Sequence, residues 1–171
     1  MTDQQRKAQQ LKYIEGDMFS VLESNPNKII IPHICNSHGA WGAGFVVPLG
    51  RHFPKAKESY LAWAKERTFV LGSTQIVQVS ENVHVANMVA QVLGGARPLF
   101  YNHLAKCLDD VAKFVLENSG EIHAPMFGSG LAGGNWNIVE ELICDSWLRY
   151  GLSATIYYLP GTLPDNWQLP H

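Results

Sequence analysis

The sequence predicts an α/β fold, a three-layer α/β/α sandwich around a mixed sheet, and three observations lead there. Short apolar segments alternate with segments of helical periodicity. Two glycine-rich turns each follow an apolar run and precede a helical pattern: Ile29-Ile30-Ile31 leads into His33 to Gly44, and Ile122 to Met126 leads into Phe127 to Trp136. Two strand-like segments, Thr74 to Val79 and Val83 to Val89, are separated only by Ser80-Glu81-Asn82, a hairpin link that makes the sheet mixed.

Met1 to Gln10 is polar and expected to fray, a flexible N-terminus. Leu11 to Glu15 alternates apolar and polar residues as a half-buried strand and ends at Gly16-Asp17. Met18 to Leu22 is a short amphipathic helix, which leaves Asp17 two readings, an N-cap or a ligand contact. Lys28 to Cys35 is continuous enough in apolar residues to be a central strand covered on both faces. A helix follows from about Gly44 to His52, and after Phe53-Pro54 a second spans Ala56 to Glu66, with Tyr60, Leu61 and Trp63 at amphipathic spacings. Gln91 to Pro98 is the longest irregular stretch, able to border a crevice or simply to connect.

Tyr101 to Asn118 carries Leu104, Leu108, Val111 and Val115 at helical spacing, and Ser119-Gly120 closes it. Glu121 to Phe127 is a strand, Asn137 to Tyr150 the last long helix with Ile138, Leu142 and Ile143 toward the core, and Ser153 to Leu159 the final strand. The C-terminal tail, Pro160 to His171, has three prolines and one tryptophan, so it is a strap across the surface or loose. Residues 11–159 thus make one domain, and 171 residues suffice for a core without metal or disulfide support.

A net charge of -2 with 16% charged residues and no basic cluster excludes a stable nucleic-acid complex held by phosphate contacts. The chain has no apolar run long enough to span a bilayer, so no membrane partner is expected. Cys35, Cys107 and Cys144 are scattered and lack a paired-ligand spacing, which suits a cytoplasmic protein.

The chemistry is expected in the two glycine turns. Backbone N–H groups can converge on an anion where glycines remove the Cβ, and loops leaving the carboxyl ends of different strands meet in one crevice. A diphosphate clasped from both sides fits that layout. Neither turn is a Walker loop or a G-x-G-x-x-G fingerprint, and Phe127 stands where a nucleophile elbow needs glycine. His33, Cys35 and His38 lack the further ligands of a zinc site, and Cys35 reads as a packed hydrophobe. His33 is a structural histidine or, near the carboxyl end of a central strand, a catalytic one. Trp41 and Trp136 are core residues by default, although each lies where it could wall a ligand.

Three motifs in order, Gly16-Asp17, then His33-x-Cys35-Asn36-x-x-Gly39-x-Trp41-Gly42-x-Gly44, then Met126-x-Gly128-x-Gly130-Leu131-x-Gly133-Gly134-x-Trp136, resemble the macrodomain family over Leu11 to Leu159. The chain looks most like the branch around the yeast ADP-ribose-1″-phosphate phosphatase, close to macrodomains that remove terminal ADP-ribose from glutamate. The resemblance implies a macrodomain sandwich with a mixed, mostly parallel central sheet. It also implies a crevice for ADP-ribose or ADP-ribose-1″-phosphate, or for an ADP-ribosylated protein, with no cofactor and no metal. Asp17 would then take the adenine amino group, Asn36 the distal ribose, and Gly42, Ala43 and Gly44 the diphosphate or distal ribose. Gly128, Ser129, Gly130, Leu131 and Ala132 would close on the diphosphate from the other side. The lysine and aspartate of the glutamate-ADP-ribose hydrolases are absent, since the strand reads Val85-Ala86-Asn87-Met88-Val89 and the second loop has Ala132. The resemblance therefore implies a phosphatase in which His33 orients or deprotonates water. A non-catalytic ADP-ribose reader and a substrate-assisted ADP-ribosyl hydrolase are the alternatives. Asn87, Gln91 and Arg97 fall near the distal ribose by chain position alone.

Overall fold

The computed structural model of the protein describes residues 1–130 and 132–170. In chain order the elements are α1 (Asp3–Gln10), β1 (Leu11–Glu15), α2 (Met18–Leu22), β2 (Ile29–Asn36), α3 (Val46–His52), α4 (Pro54–Trp63), β3 (Thr74–Gln78), β4 (Val83–Gln91), α5 (Tyr101–Asn118), β5 (Glu121–Pro125), α6 (Trp136–Ser146) and β6 (Ala154–Tyr158). The strands form one sheet in the order β1-β6-β5-β2-β4-β3. Every neighbouring pair is parallel except β3 with β4, so the sheet is mixed and mostly parallel.

Both faces of the sheet are covered, which is why β2 carries three isoleucines in a row. Ile30, Met88 and Ile122 pack with Leu104, Leu108 and Ile143 of α5 and α6 on one side. Ile29, Ile31 and Val85 pack with Met18, Phe19 and Leu49 of α2 and α3 on the other. Cys35 and Val89 lie toward the carboxyl ends against Tyr60 and Trp63 of α4. All four apolar positions expected along α5, Leu104, Leu108, Val111 and Val115, are buried.

Three expectations change. Residues 3–10 are helical rather than frayed, because Thr2 and Gln5 close a capping box and α1 is tethered from its side. Lys7 Nζ lies 3.3 Å from Glu140 Oε1, and Gln10 Nε2 donates to the carbonyls of Leu148 at 3.2 Å and Leu152 at 3.0 Å. Ile138 faces out, 42% exposed, because Trp136 sets the inward stripe of α6 and that stripe continues through Val139, Glu140 and Ile143. Glu140 replaces an apolar residue there as the acceptor of the Tyr13 hydroxyl, which also accepts from Trp136 Nε1 at 3.0 Å. Leu61 is likewise 37% exposed, while Tyr60 and Trp63 are buried. Of the two readings of the tail, the strap holds for its described residues: Trp167 is buried with its ring 4.7 Å from that of Tyr13.

Candidate functional site

The carboxyl ends of β1, β6, β5, β2 and β4 open into a crevice of three cavities in series. The first, about 470 Å³, is lined by Gly16, Asp17, Phe19, Tyr157, Tyr158 and Thr162, among others. The central one, about 320 Å³, holds His33, Ala43, Gly44, Gly128, Gly130 and Ala132. The third, about 270 Å³, holds Cys35, Asn36, Gly42, Leu93, Gly94 and Pro98. Gly44, Phe45, Pro125 and Met126 border both the first and the central cavity, and Ile34, Ala43, Val46 and Gln91 both the central and the third. No lysine or arginine lines any of them among the described residues.

Of the two readings of Asp17, the N-cap holds. The side chain caps α2, with Oδ1 accepting from Phe19 N at 3.0 Å and Oδ2 from Ser20 Oγ at 3.0 Å, and it also borders the first cavity. Lone pairs on both oxygens remain for a ligand.

Asn36 is the hub of the first loop. Its Oδ1 accepts from His38 N at 3.0 Å and Ala40 N at 3.1 Å, and its Nδ2 donates to Ala40 O at 2.8 Å. Tyr60, reaching from α4, donates its hydroxyl to Asn36 O at 2.6 Å. The side chain thus shapes the loop, leaving one N–H for the third cavity it borders. His38 stands apart from His33 and Cys35: its Nδ1 accepts from Leu93 N at 3.3 Å, tying the irregular stretch to the loop.

The second loop is folded by its backbone. Gly134 N donates to Gly128 O at 2.7 Å, Gly133 N to Gly130 O at 3.0 Å, and Leu99 N to Ala132 O at 3.2 Å. A Cβ on Gly134 would stand 2.3 Å from Gly128 O and 2.5 Å from Leu99 Cδ2, so only glycine fits. Ser129 turns its hydroxyl back to Met126 O at 3.2 Å. Leu131 lies outside the described residues.

His33 sits under the central cavity, 1% exposed, between the rings of Trp41 and Phe45 at 5.5 and 5.8 Å. Burial lowers its pKa to about 4, so the imidazole is neutral at pH 7. Cys35 is buried as expected, its Sγ 3.8 Å from His33 Nε2, and burial pushes its thiol pKa up. Asn87 lies beneath the crevice on His33, whereas Gln91 borders two cavities. The Arg97 guanidinium lies 5.9 Å over the Tyr101 ring, away from the cavity walls.

The sequence motifs do not point to Phe45 or Thr162 as site residues, yet both line the crevice. Phe45 follows Gly44 directly and stacks on Phe19 at 5.7 Å, a position its place after the glycine could have suggested. Thr162 arrives on the tail, which no local signal brings back to Asp17.

A macrodomain protein from Streptomyces coelicolor shares this fold with a TM-score of 0.75 and 38% identity, over 86% of this chain and 98% of that one. The chain belongs to the macrodomain family. A protein of unknown function from Bacteroides thetaiotaomicron is as similar, with a TM-score of 0.80 and 34% identity over 88% of this chain and 98% of that one. Among curated relatives, the ADP-ribose 1″-phosphate phosphatase of Candida albicans is 23% identical over 142 residues, 78% of this macrodomain and 91% of its own length. No protein-family model matches the sequence. No helix of the described residues is long and apolar enough to cross a membrane.

Proposed function

We propose that this macrodomain binds ADP-ribose along the crevice and hydrolyses ADP-ribose 1″-phosphate. The observation that carries the reading is the serial order of the cavities: a carboxylate at one end, two N–H-rich loops facing each other in the middle, and at the other a pocket bordered by the amides of Asn36 and Gln91. Adenine with its amino group on Asp17 fits the first, the diphosphate the central one, and the distal ribose the third. The Candida albicans relative, a phosphatase of ADP-ribose 1″-phosphate by name, supports the reaction.

In that reaction water attacks phosphorus, the P–O bond to the distal ribose breaks, and ADP-ribose and inorganic phosphate leave. With no lysine or arginine lining the cavities among the described residues, the backbone N–H groups of Gly42 to Gly44 and of Ser129, Gly130 and Ala132 supply the charge stabilisation. His33, held neutral, borders the central cavity, which shares Ile34, Ala43, Val46 and Gln91 with the third, and from that shared border would accept a hydrogen bond from the water and so orient it. The three free cysteines favour a cytoplasmic setting.

The lack of lysine and arginine in the lining among the described residues also favours a second reading, a reader that holds free or protein-linked ADP-ribose without turnover. Calorimetry with ADP-ribose on wild type and Asp17→Ala, with phosphate release from ADP-ribose 1″-phosphate in the same preparation, tests both. Micromolar binding, about -8 kcal/mol, weakened in the variant and accompanied by phosphate release, is the expected result. Binding without release leaves the reader, and no binding removes the ligand altogether.

A further inference from the structure

Beneath the crevice, three side chains lie in one row across adjacent strands. His33 of β2 is the register partner of Asn87 of β4, and Asn87 is the register partner of Gln75 of β3. His33 Nε2 lies 2.5 Å from Asn87 Oδ1. Asn87 Nδ2 donates to Gln75 Oε1 at 3.0 Å and to Ala56 O at 3.3 Å, and Gln75 Nε2 donates to Ser59 O at 3.0 Å. His33 and Asn87 are 1% and 0% exposed.

The polarity of this row is fixed from its far end. A backbone carbonyl can only accept, so Ser59 O takes the amide nitrogen of Gln75 and turns Gln75 Oε1 toward Asn87. Ala56 O, a second carbonyl, independently takes the amide nitrogen of Asn87. Both constraints leave Asn87 Oδ1 facing His33, and an oxygen without a proton there requires the proton on His33 Nε2. Nδ1 is then the lone-pair nitrogen. Within hydrogen-bonding range Nδ1 meets only the thiol of Cys35, 4.0 Å away, among the described residues.

We infer that Asn87 and Gln75 are positioning residues, which carry the orientation of two α4 carbonyls across the sheet and fix His33 in a single tautomer with Nδ1 as its acceptor. Neither touches the cavities. The inference rests on the hydrolase reading for its kinetic consequence only, since the tautomer is a property of the folded chain. Asn87 occupies this place because its two donors and one acceptor match two carbonyl-type oxygens on one side and a ring N–H on the other. An aspartate would present oxygen to oxygen at both donor contacts, and a lysine would present only donors to Nε2.

The first experiment is nitrogen NMR of wild-type His33 at neutral pH. A pyrrole-like Nε2 with a slowly exchanging proton and a pyridine-like Nδ1, unaveraged between tautomers, is expected. A proton on Nδ1, or an averaged pair, overturns the assignment without any variant. In Asn87→Ala the resonances should move to an averaged tautomer mixture, and kcat for phosphate release should fall roughly tenfold or more with KM and ADP-ribose affinity unchanged. In Gln75→Ala the Ala56 carbonyl still orients Asn87, so the tautomer should persist and kcat should fall less. An Asn87→Ala protein that binds ADP-ribose with His33 still in one tautomer overturns the positioning role. Wild type that shows the tautomer but releases no phosphate sinks the hydrolase reading and leaves the row standing.

Discussion

The two loops that close on the crevice are built by opposite means. The first is held by side chains: Asn36 makes three hydrogen bonds inside its own turn and Tyr60 braces its backbone from α4. The second is held by backbone, through Gly134 to Gly128, Gly133 to Gly130 and Leu99 to Ala132. Side chains can be exchanged one atom at a time, whereas a backbone approach tolerates no added atom. Damage should therefore be graded in the first loop and abrupt in the second.

The abrupt end of that contrast is Gly134→Ala. Its new methyl meets a carbonyl oxygen and a leucine methyl that belong to the second loop and its neighbour, so the loop must unfold or the sheet end must shift. A loss of about 4 kcal/mol is expected in denaturant unfolding. A loss below about 1 kcal/mol would show that the loop relaxes, and the contrast would collapse.

Acid acts on the first loop alone, because the second, Phe127 to Trp136, has no ionisable side chain. His33 titrates at about 4 when folded and near 6.5 when unfolded, so the unfolded chain gains a proton in that window and the native chain does not. Stability should be complete above pH 6.5 and should fall as pH drops toward 4, by up to about 3 kcal/mol. Urea unfolding of wild type and His33→Gln between pH 7 and pH 4.5 measures this. An equal slope in both proteins would assign the acid loss elsewhere; Glu121, whose carboxylate pKa is held down at about 2 by hydrogen bonds from His123, Asn25 and Asn27, loses its own contribution only below about pH 4.5 and so stays outside this window.

A smaller, graded effect belongs to Asn36→Ala, which strands the His38 and Ala40 N–H groups. About 2 kcal/mol should be lost, with ADP-ribose affinity reduced because Gly42 to Gly44 lose their anchor. Asn36→Asp keeps both acceptor contacts but sets an oxygen against Ala40 O, so it should fall between wild type and alanine. An aspartate variant worse than alanine would mean that the repulsion outweighs the two retained bonds.

The same contrast explains what is legible in the sequence. Glycines after apolar runs mark both loops, and His33, Asn36, Gly44, Gly128 and Ala132 all border the crevice because strand ends and turns are local signals. The first loop's internal bonding is local too, within four residues of Asn36. What stays hidden depends on distant register: His33 and Asn87 are 54 positions apart, and Gly134 is constrained by Leu99, from another segment. The N-terminal helix is hidden for a different reason, since Thr2 and Gln5 spell a capping box that the polar composition masks. Ile138 reads as inward because hydropathy ranks it above Glu140, whose burial depends on Tyr13 and Lys7.

The smallest stability effect gives the cleanest test of the crevice itself. Gly42 and Gly130, one from each loop, have φ outside the left-handed region, and a Cβ added at either would have nothing within 4 Å. Alanine at either should leave stability unchanged or raise it by about 0.5 kcal/mol, through a less flexible unfolded chain. Gly130 borders the central cavity of the proposed diphosphate and Gly42 the third, of the proposed distal ribose, so with either methyl ADP-ribose should bind at least tenfold more weakly, about 1.4 kcal/mol. Paired unfolding and calorimetry separate the two quantities. A stable variant with weakened binding in both loops means that the clasp closes from two sides. Weakening in only one loop means that the ligand leans on that loop, and the difference in their construction then becomes a difference in role.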